Sequence, residues 1–133
     1  IIRSMAAFGL KNLIIEKKFI KKYSQIIFKT ASGGTEYINF YIVSNINNCL
    51  RVLKTKNYFV YAFDEKSDQT IYEKNIFFKK NVFIFGSENK GIKKLIKKNS
   101  DHILCIPTNK NFKSLNISNA VSAFLLFWSQ NIN

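Results

Sequence analysis

Two cysteines, one proline and one histidine in 133 residues exclude several functional classes at once. Cys49 and Cys105 have no CxxC partner, and His102 is the only histidine that could join them. Neither a disulfide framework nor a metal site is encoded, and both cysteines read as reduced, packed thiols. No apolar run approaches the roughly 20 residues that cross a bilayer, and the opening residues carry Arg3 and no cleavage pattern. A soluble, cytoplasmic chain is expected. Acidic residues are scarce as well: 8 Asp plus Glu face 21 Lys plus Arg, a formal charge of +13. Such an excess points to a polyanionic partner, although abundant lysine, asparagine, isoleucine and phenylalanine also match an AT-rich coding bias. Arginine is rare within that excess, Arg3 and Arg51 being the only two. A retained arginine suggests a role for the planar guanidinium fork that lysine cannot fill.

What is present is apolar and aromatic: 47% and 15% of the chain, enough for one core and hence one domain over residues 1–133. Short apolar runs recur at Leu13-Ile14-Ile15, Phe40 to Val43, Tyr58 to Phe63, Val82 to Phe85 and Ile103 to Ile106, which predicts strands buried on both faces. Helical patterns fall between them, over residues 21–30, 45–56, 91–99 and 115 to about 130, with Ser44 as the expected N-cap of the second. Residues 64–80 read as a polar loop with a short element in it. The alternation predicts an α/β domain with a largely parallel sheet. The apolar start at Ile1 reads as the later turns of a helix, so residues are expected upstream of it.

Two segments carry chemistry. After the run ending at Phe85 comes Gly86-Ser87-Glu88-Asn89-Lys90-Gly91, a glycine-bracketed loop with a carboxylate, expected at the carboxyl end of a strand, where α/β sheets bind ligands. The pattern also fits an ordinary strand-to-helix turn. It is no P-loop, since Ile92-Lys93 stands where Lys-Ser/Thr is required. The second segment is Ile106-Pro107, a polar loop, and then Ser114-Leu115-Asn116-Ile117-Ser118, with Ser114 placed to cap the helix that follows. Asn116 would gain little in a first helical turn unless its amide binds something.

Together, in this order and spacing, the two segments resemble the second and third motifs of the SpoU (TrmH-like) branch of the SPOUT RNA 2'-O-ribose methyltransferases. The start, Ile1-Ile2-Arg3-Ser4-Met5-Ala6-Ala7-Phe8-Gly9, resembles the end of that family's first motif. Lys29-Thr30-Ala31-Ser32-Gly33-Gly34-Thr35-Glu36-Tyr37 resembles the Ser-Gly-Ala-Xaa-Glu stretch of the bacterial 23S rRNA guanosine-2'-O-methyltransferases. The resemblance implies a SPOUT-type α/β fold with helices flanking a mostly parallel sheet and a C-terminal deep trefoil knot, a homodimer, RNA as partner (rRNA, or tRNA) and S-adenosyl-L-methionine as methyl donor without a metal. It also implies a catalytic set of Arg3, Glu88, Ser114 and Asn116, and a cofactor site lined by Gly86, Ser87, Gly91, Ile106, Pro107 and Leu115. Alternatives are a tRNA ribose methyltransferase and, in a different class, a noncatalytic RNA-binding homologue.

Overall fold

The five apolar runs become five strands, each paired in parallel within its own sheet, because β-branched and aromatic side chains suit a pleated, covered surface. The computed structural model describes residues 1–20, 25, 33–87, 89–109, 111–112 and 115–131. In chain order the elements are α1 (Ile2–Ala7), β1 (Asn12–Glu16), a 3-10 turn (Gly34–Tyr37), β2 (Asn39–Val43), α2 (Ile46–Thr55), β3 (Phe59–Phe63), β4 (Asn81–Phe85), α3 (Lys94–Asn99), β5 (His102–Leu104) and α4 (Ile117–Asn131). The helix expected over residues 21–30 lies outside the described residues, Gln25 excepted. The chain folds as two compact units, Ile1–Ile46 with Val121–Asn133, and Asn47–Ala120.

In the first unit β1 and β2 pair in parallel, Asn12 opposite Asn39 through Glu16 opposite Val43. Among the described residues, Met5, Ile38, Val121, Phe124 and Leu125 are its buried apolar side chains, and the Ser4 and Ser122 hydroxyls share a 2.7 Å hydrogen bond. Burial on both faces does not extend to β2, whose Tyr41 and Ile42 are 51% and 58% exposed. The α2 start also differs from expectation. Ile46 N–H donates to the Glu16 carboxylate at 3.1 Å, so a strand carboxylate, favoured at a helix N-terminus, meets the first free amide, and no cap from Ser44 forms.

The second unit holds the sheet β4-β3-β5, parallel throughout. Central β3 is covered on both faces: Val60, Tyr61 and Ala62 have no exposed surface. Tyr61 stacks on His102 with ring centres 5.4 Å apart and donates its hydroxyl to the Ile76 carbonyl. Burial pushes the Tyr61 phenol up to about 12 because the ionised form would lose its hydration. The polar stretch after β3 does structural work. Ile71 N–H reaches the Cys105 carbonyl (3.1 Å), Cys105 N–H reaches the Gln69 carbonyl (2.7 Å), and Ile71 and Ile76 are buried. It thus supplies hydrogen-bond partners just past the end of β5, where an open edge would be a liability.

Helix α2 closes on a left-handed Asn57 (φ 62°). Tyr58 N–H bonds the Leu53 carbonyl and Asn57 N–H the Lys54 carbonyl, at 3.1 and 3.0 Å, the paired bonds of a Schellman stop. Cys49 and Cys105 are half-buried free thiols, each held above its ordinary pKa by burial.

Candidate functional site

The loop after β4 is built around a close backbone approach. Gly91 N–H bonds the Ser87 carbonyl at 2.8 Å, Gly91 takes φ +59°, and Lys90 N–H points at the Ser87 hydroxyl at 3.4 Å. A Cβ on Gly86 would sit 2.3 Å from the Gly91 carbonyl carbon and 2.6 Å from Ile92 N, so only glycine fits there. Glu88, within this segment of the sequence, lies outside the described residues. The following helix does not begin at the loop as expected: α3 starts at Lys94, after extended Lys93, and spans six residues.

Because β4 and β5 flank β3 in parallel, the segments that follow them leave at the same end of the sheet. Ile106, half-buried, and exposed Pro107 follow β5, and Leu115, 38% exposed, precedes α4. Among the described residues, the backbone N–H and C=O of Ile106 and Leu115 have no hydrogen-bond partner. Unpaired main-chain groups beside apolar side chains, at the carboxyl end of a parallel sheet, stand where α/β folds bind ligands. Among the described residues no group of three or more His, Cys, Asp and Glu could hold a metal ion.

Asn116 has a structural explanation that its sequence position alone did not suggest. Its side-chain oxygen accepts from Ser118 N–H at 2.8 Å, and its carbonyl accepts from Ala120 N–H at 2.9 Å. It is therefore the N-cap of α4. Ser114, expected in that role, lies outside the described residues.

Arg3 stands in the first unit, on α1. The last two side chains of that helix, Ala6 and Ala7, are small. They leave an open cleft of about 470 Å³ that Arg3 shares with Gly33, Gly34, Glu36 and Tyr37. Gly33 is left-handed (φ +81°), and a Cβ on Gly34 would touch the Arg3 Cα and Cγ at 3.5 and 3.6 Å. The turn therefore lies in van der Waals contact with the root of Arg3. Among the described residues, neither the Arg3 guanidinium nor the Glu36 carboxylate has a side-chain hydrogen-bond or ion-pair partner. In the sequence, Glu36 and Tyr37 stand out only as part of the stretch from Lys29 to Tyr37. Their shared cleft with Arg3 depends on a fold between distant segments that no local pattern reveals.

Residues 1–126 match the SpoU rRNA Methylase family. A tRNA/rRNA methyltransferase of Borreliella burgdorferi, described as uncharacterized, is 37% identical over 118 residues, covering 89% of this chain and 51% of the relative. The 23S rRNA (guanosine-2'-O-)-methyltransferase RlmB of Blochmanniella floridana is 30% identical over 124 residues, 93% of this chain and 48% of the relative. This chain therefore spans about half the length of the curated relatives it matches. Among solved structures, a TrmH-family RNA methyltransferase from Porphyromonas gingivalis superposes with TM-score 0.83 at 20% identity, over 96% of this chain and 51% of that one. The SpoU methyltransferase AviRb of Streptomyces viridochromogenes in complex with AdoMet gives 0.79 at 20% identity, over 97% and 50%. The α/β fold with parallel sheets is the one these structures share, and by its match over nearly its whole length the chain belongs to the SpoU rRNA methylase family.

Proposed function

We propose that this chain is the catalytic domain of an RNA ribose 2'-O-methyltransferase that uses S-adenosylmethionine, acting on a guanosine of 23S rRNA in the cytoplasm. Residues 1–133 form one catalytic domain in this reading, its C-terminal part passes through the trefoil knot of the family, and two copies pair as a homodimer. The observation that carries it is Arg3, a guanidinium in an open cleft with no partner among the described residues, in a segment that resembles the end of the family's first motif.

The cofactor supplies an electrophilic methyl group on a sulfonium. The residues of this chain have the remaining tasks. The backbones of Gly86, Ile106 and Leu115 hold the adenosine portion, Ser87, Gly91 and Pro107 shape the surrounding loops, and Leu115 covers it with apolar surface. Arg3 clamps the phosphate next to the target ribose through two N–H groups, fixing the 2'-hydroxyl for in-line displacement. Its charge also lowers the cost of an alkoxide as the hydroxyl proton leaves. Glu88, Ser114 and Asn116 shape the polar side of the pocket, and no metal is needed.

The test is to incubate the full-length protein with labelled S-adenosylmethionine and separated 23S rRNA, 16S rRNA and tRNA. Label in 23S rRNA, recovered as 2'-O-methylguanosine, is the expected result, and Arg3→Lys is expected to lose about 100-fold or more. Label confined to tRNA would replace the substrate. Absence of label from every RNA would overturn the enzymatic reading in favour of a noncatalytic RNA-binding homologue.

A further inference from the structure

We propose that the cleft between α1 and the Gly33–Tyr37 turn is a guanine pocket in which the Glu36 carboxylate reads the base edge and the Tyr37 ring supplies the stacking face. This inference rests on the ribose-methylation reading and extends it to the base next to the reacting sugar.

The observations concern one cleft within one unit. Its volume of about 470 Å³ suits a nucleoside-sized ligand. Arg3 and Glu36 carry opposite charges in the same cleft, yet no ion pair forms between them, so both charges remain available to a ligand. Tyr37 is 69% exposed and has no ring partner among the described residues. An exposed tyrosine beside a cation is the usual platform for an unstacked base. The turn that presents these side chains is set by left-handed Gly33 and buried Gly34, so Glu36 and Tyr37 stand on a fixed scaffold.

The carboxylate selects the base. It can only accept hydrogen bonds, and guanine alone presents two neighbouring donors on its Watson–Crick edge, N1–H and the exocyclic amine. Adenine and cytosine each place an acceptor beside their amine, and uracil has a single donor between two carbonyls. Each of those would set a lone pair against the carboxylate, a mismatch that costs as much as a lost bidentate pair. Arg3 then binds the phosphate of the nucleotide whose base Glu36 holds, so base choice and ribose positioning come from one cleft.

The experiment titrates the full-length protein with guanosine, inosine and adenosine 5'-monophosphates by calorimetry, with amide NMR signals of Gly34 and Tyr37 as site reporters. The guanine nucleotide should bind about tenfold tighter than the adenine one, with inosine, which lacks the amine, in between. Glu36→Gln should bring all three within about twofold of one another, and Tyr37→Leu should weaken all three alike. Glu36 and Tyr37 are both exposed, so circular dichroism should find each variant folded. Equal binding of guanine and adenine nucleotides, no guanine binding at millimolar concentration, or undiminished discrimination in Glu36→Gln would each overturn the pocket. Wild-type protein that methylates 23S rRNA without guanine preference would sink this inference alone. Guanine preference without methylation of any RNA would sink the methyltransferase reading alone.

Discussion

Asn116 carries two jobs that substitution can separate. As N-cap of α4 it needs only an acceptor oxygen, which meets Ser118 N–H, and aspartate supplies that equally well. As a pocket residue it needs the amide N–H groups, which aspartate lacks. Asn116→Asp should therefore keep the wild-type melting temperature and lose methylation, whereas Asn116→Ala should lose methylation and about 1 kcal/mol of stability. Differential scanning calorimetry beside the labelling assay reads both. An Asp variant with full turnover would leave Asn116 a cap and nothing more. At this scale the sequence was partly legible. Gly86 stood out as a loop glycine, but the reason for it, a backbone 2.3 Å from the missing Cβ, is a contact across the loop that spacing does not encode. The capping oxygen of Asn116 was missed because position within the first turn, not residue type, decides whether an asparagine caps or binds.

Among elements, the second unit is tied together by two carboxylates. Asp64, just past β3, accepts from Lys97 on α3. That hydrogen bond, against the cost of burial, holds its carboxyl below the ordinary value. Asp101 loses hydration by burial, but Lys54 of α2 at 2.7 Å and Val60 N–H at 2.8 Å outweigh that, and its pKa is also lowered. Both groups are depressed in the folded chain, so both contribute stability at and above the ordinary carboxylate range, and that contribution is lost as pH falls through their folded values. The melting temperature should be level from pH 7 to about 5 and drop below about 4. Asp64→Asn together with Asp101→Asn should lower the plateau and flatten the drop. A double variant that keeps the full acid-induced drop would assign it to other groups. The strands themselves were readable from apolar runs, to within a residue or two at most ends. What could not be read was coverage. Tyr58 to Phe63 and Phe40 to Val43 look alike as sequences, but β3 has a strand on each side while β2 pairs only with β1 among the described residues.

Over the whole molecule, the charge of +13 has two sources, and salt dependence tells them apart. Coding bias would scatter lysines without regard to the site. Selection for RNA would gather them where phosphates pass. Lys90, Lys93, Lys94 and Lys98 are exposed on the Gly86–Gly91 loop and in the segment through α3 that follows it, next in the chain after the carboxyl end of β4, where the cofactor is proposed to bind. Each phosphate neutralised by such a lysine releases counterions and steepens the fall of affinity with salt by about 0.7 in log–log slope for a single strand. Filter binding of a 23S rRNA fragment to the full-length protein, from about 50 to 400 mM salt, should give a steep negative slope. Lys90→Gln with Lys94→Gln and Lys98→Gln should make it shallower by about 2. The same triple change at Lys56, Lys79 and Lys80, which stand just before β3 and β4 at the amino end of the sheet, should change it by less than about 1. Equal effects from the two triple variants would mean that the charge acts as a diffuse field, and the excess would then owe more to composition than to an RNA path along the β4 loop.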